Sequence, residues 1–119
     1  MTERRHEDGP NHRSIALAEG AGRGEMMEAM ERGLEMLEAW GRPDLLLYQA
    51  GADPYREDPY SPLDLDHDDL LERDRRAFAW ARGAGVPVAW VLAGGYTKDV
   101  SKVVRVHTNT FVAARDVFA

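Results

Sequence analysis

Two short, continuous apolar runs constrain this chain more than any other feature. Residues 44–49 read Asp-Leu-Leu-Leu-Tyr-Gln, and residues 86–92 read Val-Pro-Val-Ala-Trp-Val-Leu. Each has the length of a strand and lacks the polar alternation of a half-exposed one, so each predicts a strand buried on both faces. Between them lies a helical pattern. Asp66 caps a helix that continues through Arg82, with Asp68 and Asp69 in its first turn and Arg73, Arg75, Arg76 and Arg82 further on, a charge order that complements the helix dipole. Leu70, Leu71, Phe78 and Ala81 supply its apolar face. Strand, helix, strand in that order predicts neighbouring parallel strands joined by a right-handed crossover.

The flanking segments extend the same logic. Over residues 25–40, Met26, Met30, Leu34, Leu37 and Trp40 recur at three- and four-residue spacings, with Glu28, Glu31, Glu35 and Glu38 largely on the other side. That is an amphipathic helix despite Gly33, and Gly41-Arg42-Pro43 ends it. Residues 98–118 place Val100, Val103, Val104, His107, Phe111 and Ala114 on one stripe and predict a final helix. Residues 14–18 alternate weakly and predict a short strand, broken by Gly20, Gly22 and Gly24. The fold class is therefore α/β, a partial parallel sheet with flanking helices. A polar segment over residues 1–13 precedes one domain over residues 14–119.

At 119 residues the chain suits one domain with a modest core. With 15 Lys and Arg against 21 Asp and Glu, the net charge of −6 gives no general attraction to nucleic acid or to an anionic membrane. Neither is an expected partner. No run approaches the roughly 20 apolar residues that span a bilayer, and the polar start is not a secretory leader. The absence of cysteine rules out disulfides, thiolate metal sites and a thiol nucleophile. A cytoplasmic setting is expected, and any metal must use Asp, Glu or His.

In open parallel sheets ligands collect beyond the carboxyl ends of the strands, which directs attention to two loops. The first reads Gln49-Ala-Gly-Ala-Asp53-Pro-Tyr-Arg-Glu-Asp58-Pro59. By position alone Asp53 suits a turn or cap better than a cation site. The second reads Ala93-Gly94-Gly95-Tyr96-Thr97, where the glycines permit tight turns and close approach of a ligand. Neither nucleotide-binding glycine pattern occurs. Asp64, Asp66 and Asp68 have the alternate spacing that opens a calcium loop, but Asp69 stands where the glycine belongs and Arg75 where the bidentate Glu belongs, so capping is the better reading. His6, His12, His67 and His107 have no paired metal-ligand spacing, and His107, on the apolar stripe, reads as a packed, hydrogen-bonded side chain. No serine lies in a nucleophile elbow.

Taken together, several segments resemble in order the C-terminal portion of histone deacetylase and acetylpolyamine deacetylase-like proteins, especially bacterial members near class IV. They are residues 43–54 (Pro-Asp-Leu-Leu-Leu-Tyr-Gln-Ala-Gly-Ala-Asp-Pro), Glu57-Asp58-Pro59, Arg73-Asp74, Val86-Pro-Val and Ala93-Gly-Gly-Tyr96. The resemblance runs from about Asn11 to Phe118. It implies the C-terminal part of an arginase/deacetylase-like three-layer fold. It also implies Asp53 as a ligand of Zn2+, Gly94 and Gly95 as a substrate loop, and Tyr96 as the hydroxyl donor to a substrate carbonyl. The implied reaction is hydrolysis of the amide of an acetylated protein or small acetylated amine, with zinc polarising the carbonyl and activating water. The family's other zinc ligands lie in an Asp-x-His motif and its general bases in a His-His pair, and neither occurs in this sequence. A catalytic zinc takes about three protein ligands. The chain is thus expected to be truncated and inactive alone, with the missing N-terminal part of the domain as its partner. The alternative is a non-catalytic α/β interaction or ligand-binding module, with a homo-oligomer as one way to cover the exposed sheet edge.

Overall fold

A computed structural model describes residues 8–119; residues 1–7, and with them His6 and the first half of the polar segment, lie outside that description. Three helices and two strands follow in the order α1 (Arg23–Trp40), β1 (Leu46–Gly51), α2 (His67–Ala84), β2 (Val88–Ala93) and α3 (Val100–Phe118). The strands are parallel neighbours, in register from Leu46 with Val88 to Gly51 with Ala93. Each strand begins two residues later than the apolar run predicts. Pro87 has no N–H to donate, so the ladder opens with its carbonyl accepting from Leu46 N at 2.8 Å, and β2 proper starts at Val88. No helix is long and apolar enough to cross a membrane among the described residues.

Helix α2 is the centre of the core. Its start follows from Asp66, which accepts from Asp69 N at 2.8 Å while its own N–H donates to the Asp69 carboxylate at 3.0 Å, a reciprocal cap that supports the capping reading of this acidic stretch. Its end is Gly85 in the left-handed region (φ 68°), the conformation that favours glycine after a helix. Phe78 is fully buried and meets Tyr48 of β1, Trp90 of β2 and Phe118 of α3 edge-on, at ring separations of 5.7, 5.1 and 5.8 Å. Leu34 and Leu37 of α1 pack with Trp80, Ala81, Leu46 and Val88, so α1 lies on the same side of the sheet.

Three expectations change. Residues 14–18 form no strand, and Ile15 lies beside Gly33 of α1, whose missing side chain leaves room for it. Among the described residues the strands are covered on one face only, since Tyr48, Val88 and Trp90 meet the helices while Leu47 is 74% and Val91 60% exposed. Of the predicted stripe of α3, Val103 and Ala114 pack inward, and they are joined there by Val106, Thr110, Ala113 and Val117, so the packed face is turned partly away from the predicted one. Val100 and Val104 face outward, and Phe111, 55% exposed, meets the Trp90 ring edge-on at 5.4 Å. The physical reason is Asp74, buried in α2, which takes the Thr110 hydroxyl at 2.6 Å and so rotates the polar threonine inward.

Candidate active site

Because β1 and β2 are parallel and end in register, their following loops leave from one rim of the sheet. Ala52 N continues the ladder to Ala93 O at 2.9 Å, and Asp53 and Tyr96 follow directly. Gly94 (φ 61°) and Gly95 (φ 107°) both occupy the region that favours glycine. Space demands glycine as well. A Cβ on Gly94 would overlap the Asp53 carboxylate, and one on Gly51 would lie 2.9 Å from Asp53 Oδ1. A Cβ on Gly95 would fall 2.5 Å from Val103 Cγ1 and 3.2 Å from Ala52 Cβ. The exposed Asp53 side chain is therefore seated between two residues that have no side chain. Tyr96, 56% exposed, follows Gly95 on the second loop.

The two loops are tied together by a carboxylate to which the sequence reading gave no role. Asp58 is only 3% exposed, and its Oδ2 accepts from Tyr96 N at 2.7 Å while its Oδ1 accepts from Tyr60 N at 2.9 Å. The rings of Tyr60 and Tyr96 meet edge to face at 5.2 Å and 89°. Below them the first loop is firmly folded. Tyr55 is buried against the ring of His67 at 4.5 Å, and Ser61 Oγ donates to Pro54 O at 3.0 Å. The Tyr55 hydroxyl donates to Glu57, whose other oxygen takes Lys102 Nζ of α3 at 2.6 Å. That lysine, with the tyrosine hydroxyl, holds the Glu57 carboxyl below its ordinary range.

Behind the rim, Arg73 Nη1 donates to Gly51 O at 2.7 Å and anchors the last residue of β1. Its Nε donates at 3.0 Å to Asp74 Oδ1, which also takes the Tyr48 hydroxyl. With Thr110 on the second oxygen, the fully buried Asp74 has three donors, as an interior carboxylate needs. Burial pushes the Tyr48 hydroxyl well above an ordinary phenol, so it remains a donor. The sequence carries a signal for this cluster: Asp74 lies four residues from both Leu70 and Phe78, placing a carboxylate on the apolar stripe of α2.

Neither His67 nor His107 is hydrogen-bonded to Asp53. His67 Nε2 lies 3.0 Å from Lys102 O, and half-buried His107 has its Nδ1 enclosed without a hydrogen-bond partner among the described residues, unlike the bonded side chain expected from its position. Among the described residues no three His, Cys, Asp or Glu side chains converge on a point where a metal could sit. Asp53 offers one carboxylate. A zinc site needs about three protein donors, so the residues present do not by themselves fit that ion.

The chain matches the histone deacetylase domain over residues 1–111 and belongs to that family. An uncharacterized protein of Picosynechococcus sp. is 34% identical over 104 residues, which are 87% of this chain and 35% of that protein. Histone deacetylase 2 of Arabidopsis thaliana is 28% identical over 90 residues, 76% of this chain and 23% of its own length. Acetylpolyamine amidohydrolase 1 of Pseudomonas aeruginosa is 34% identical over 92 residues, 77% of this chain and 25% of its own. In fold, an acetylpolyamine aminohydrolase from Burkholderia pseudomallei superposes with a TM-score of 0.74 at 21% identity, covering 87% of this chain and 28% of that one. The chain thus spans about a third or less of the length of these relatives. The architecture is α/β and forms part of the arginase/deacetylase fold, as the resemblance implied.

Proposed function

We propose that this chain carries part of a deacetylase site that hydrolyses the amide of an acetylated lysine or small acetylated amine. In this reading Asp53 is one of the donors to a catalytic zinc, Gly94 and Gly95 form the substrate loop, and Tyr96 donates its hydroxyl to the substrate carbonyl as negative charge develops on that oxygen. The observation that carries it is the seating of Asp53 against Gly94, two residues from Tyr96, at the carboxyl ends of adjacent parallel strands. The remaining zinc donors and the general base come from polypeptide outside these 119 residues, and the chain alone does not turn over substrate. A second reading, a non-catalytic interaction module that self-associates, is favoured by one feature, the uncovered Leu47 and Val91 face.

Zinc content after dialysis and turnover of an acetyl-lysine substrate test the first reading. The purified chain retains no stoichiometric zinc and shows no turnover, and both appear on adding the N-terminal part of a deacetylase relative. In that assembly Tyr96→Phe lowers turnover about 10² to 10³-fold with zinc unchanged, the scale of one lost oxyanion donor. Asp53→Ala loses zinc. Full activity in Tyr96→Phe, or equal zinc loss in both variants, overturns these roles; a stable dimer that ignores the N-terminal part supports the module instead.

A further inference from the structure

We propose that Asp58 is the positioning residue for Tyr96, a role that rests on the reading of Tyr96 as a hydroxyl donor. The Tyr96 side chain is more than half exposed, so core packing does not hold its ring in place. What holds it is its backbone, and the Tyr96 N–H is bound by Asp58 Oδ2 across 38 residues of sequence. The same carboxylate binds Tyr60 N, and Tyr60 supports the Tyr96 ring from the side. Asp58 is itself fixed: its N–H donates to Tyr55 O at 2.9 Å, its carbonyl accepts from Ser61 N at 3.1 Å, and its side chain is shut away from water. One buried carboxylate therefore sets the separation of the loop that carries Asp53 from the loop that carries Tyr96.

The chemistry requires a carboxylate rather than any polar side chain of that size. Each oxygen accepts one N–H, whereas an amide has a single acceptor oxygen and would turn its NH2 toward the second N–H. Asp58→Asn must therefore release one of the two tyrosine amides. The Tyr60 bond closes a local turn within the same loop, while the Tyr96 bond bridges two loops and is the one lost.

The test uses the 119-residue chain in solution. In the unaltered protein, a scalar coupling across the hydrogen bond between Tyr96 15N and Asp58 13Cγ is expected, and this needs no variant to fold. In Asp58→Asn the Tyr96 amide exchanges at least about tenfold faster and the ring-to-ring Overhauser effect between Tyr60 and Tyr96 weakens, while amides of α2 and α3 keep their rates. In the assembled deacetylase, the same variant lowers kcat about tenfold with KM unchanged, a split that a general loss of structure would not produce. Absence of the coupling, unchanged Tyr96 exchange, or unchanged kcat despite faster exchange overturns the proposal. If the unaltered assembly shows no turnover, the deacetylase reading fails, while the coupling and exchange still decide whether Asp58 fixes Tyr96.

Discussion

The two faces of the sheet are built from alternate residues of the same two strands, yet they differ in nearly every physical respect. On the helix side, Tyr48, Val88 and Trp90 meet Phe78, Ala113 and Ala114, and the buried polar atoms of Asp74 are fully bonded. On the other side, Leu47, Gln49, Ala89 and Val91 line an open depression of about 310 Å³. A strand of unbroken apolar character thus contributes to stability here through every second residue only. The rim with Asp53 and Tyr96 lies at the end of both faces and draws its order from the helix side, through Arg73 to Gly51 O and through Lys102 to Glu57.

The largest test of that division is Asp74→Ala. It leaves Arg73 Nε and the Tyr48 hydroxyl without their acceptor in the interior and the Thr110 hydroxyl with only Val106 O, and a loss of ~3–5 kcal/mol in urea unfolding is expected. A loss under about 1 kcal/mol would mean that the closed face does not depend on this network. Next comes Gly94→Ala, which forces a side chain into a left-handed backbone position and into the Asp53 carboxylate; ~1–3 kcal/mol is expected, with the Asp53 carboxyl resonance displaced while those of α2 remain. Leu47→Ser on the open face should change stability by no more than about 0.5 kcal/mol, although a leucine is removed from a strand. A midpoint shift comparable to that of Asp74→Ala would show that this face is covered in solution.

The smallest effect belongs to the Glu57–Lys102 pair, which is exposed. The Glu57 carboxyl is held below its ordinary 4.5, first by the hydrogen bond from Lys102. A depressed folded-state value stabilises the protein above the unfolded-state value, and that contribution disappears as pH falls through the folded-state one. Lys102→Ala should raise the Glu57 midpoint, read by carboxyl NMR, and should differ from the parent protein in stability near neutrality but not once Glu57 is protonated in both. An unmoved midpoint would break the tie between α3 and the rim loop.

The legible parts of the molecule were those in which one residue's neighbours are close in sequence. The Asp66 cap, the stripe of Leu70 and Phe78, and the glycines after the strands all state their geometry locally. Order along the chain was enough to bring Asp53 and Tyr96 to one rim, since parallel neighbours send both loops the same way. Where the reading departed from the structure, the deciding group was distant. Thr110 rather than Phe111 faces inward because of Asp74, 36 residues earlier. Asp58 shows its local turn to Tyr60 in the sequence but not its tie to Tyr96, because that amide becomes a neighbour only after the two strands pair.

A two-stranded sheet consists entirely of borders. β1 and β2 pair with each other and with no further strand among the described residues, so each keeps one row of N–H and C=O groups facing away from its partner. Beside those rows stand the bare Leu47 and Val91 side chains. Such a border is a template: a strand that adds to it leaves a fresh border behind, and growth need not close. For the isolated chain, self-association through this border is therefore expected to rise with concentration, which light scattering across a dilution series would show. Fibre-forming association should begin at β1 and β2 while the α2–α3 pair is still intact.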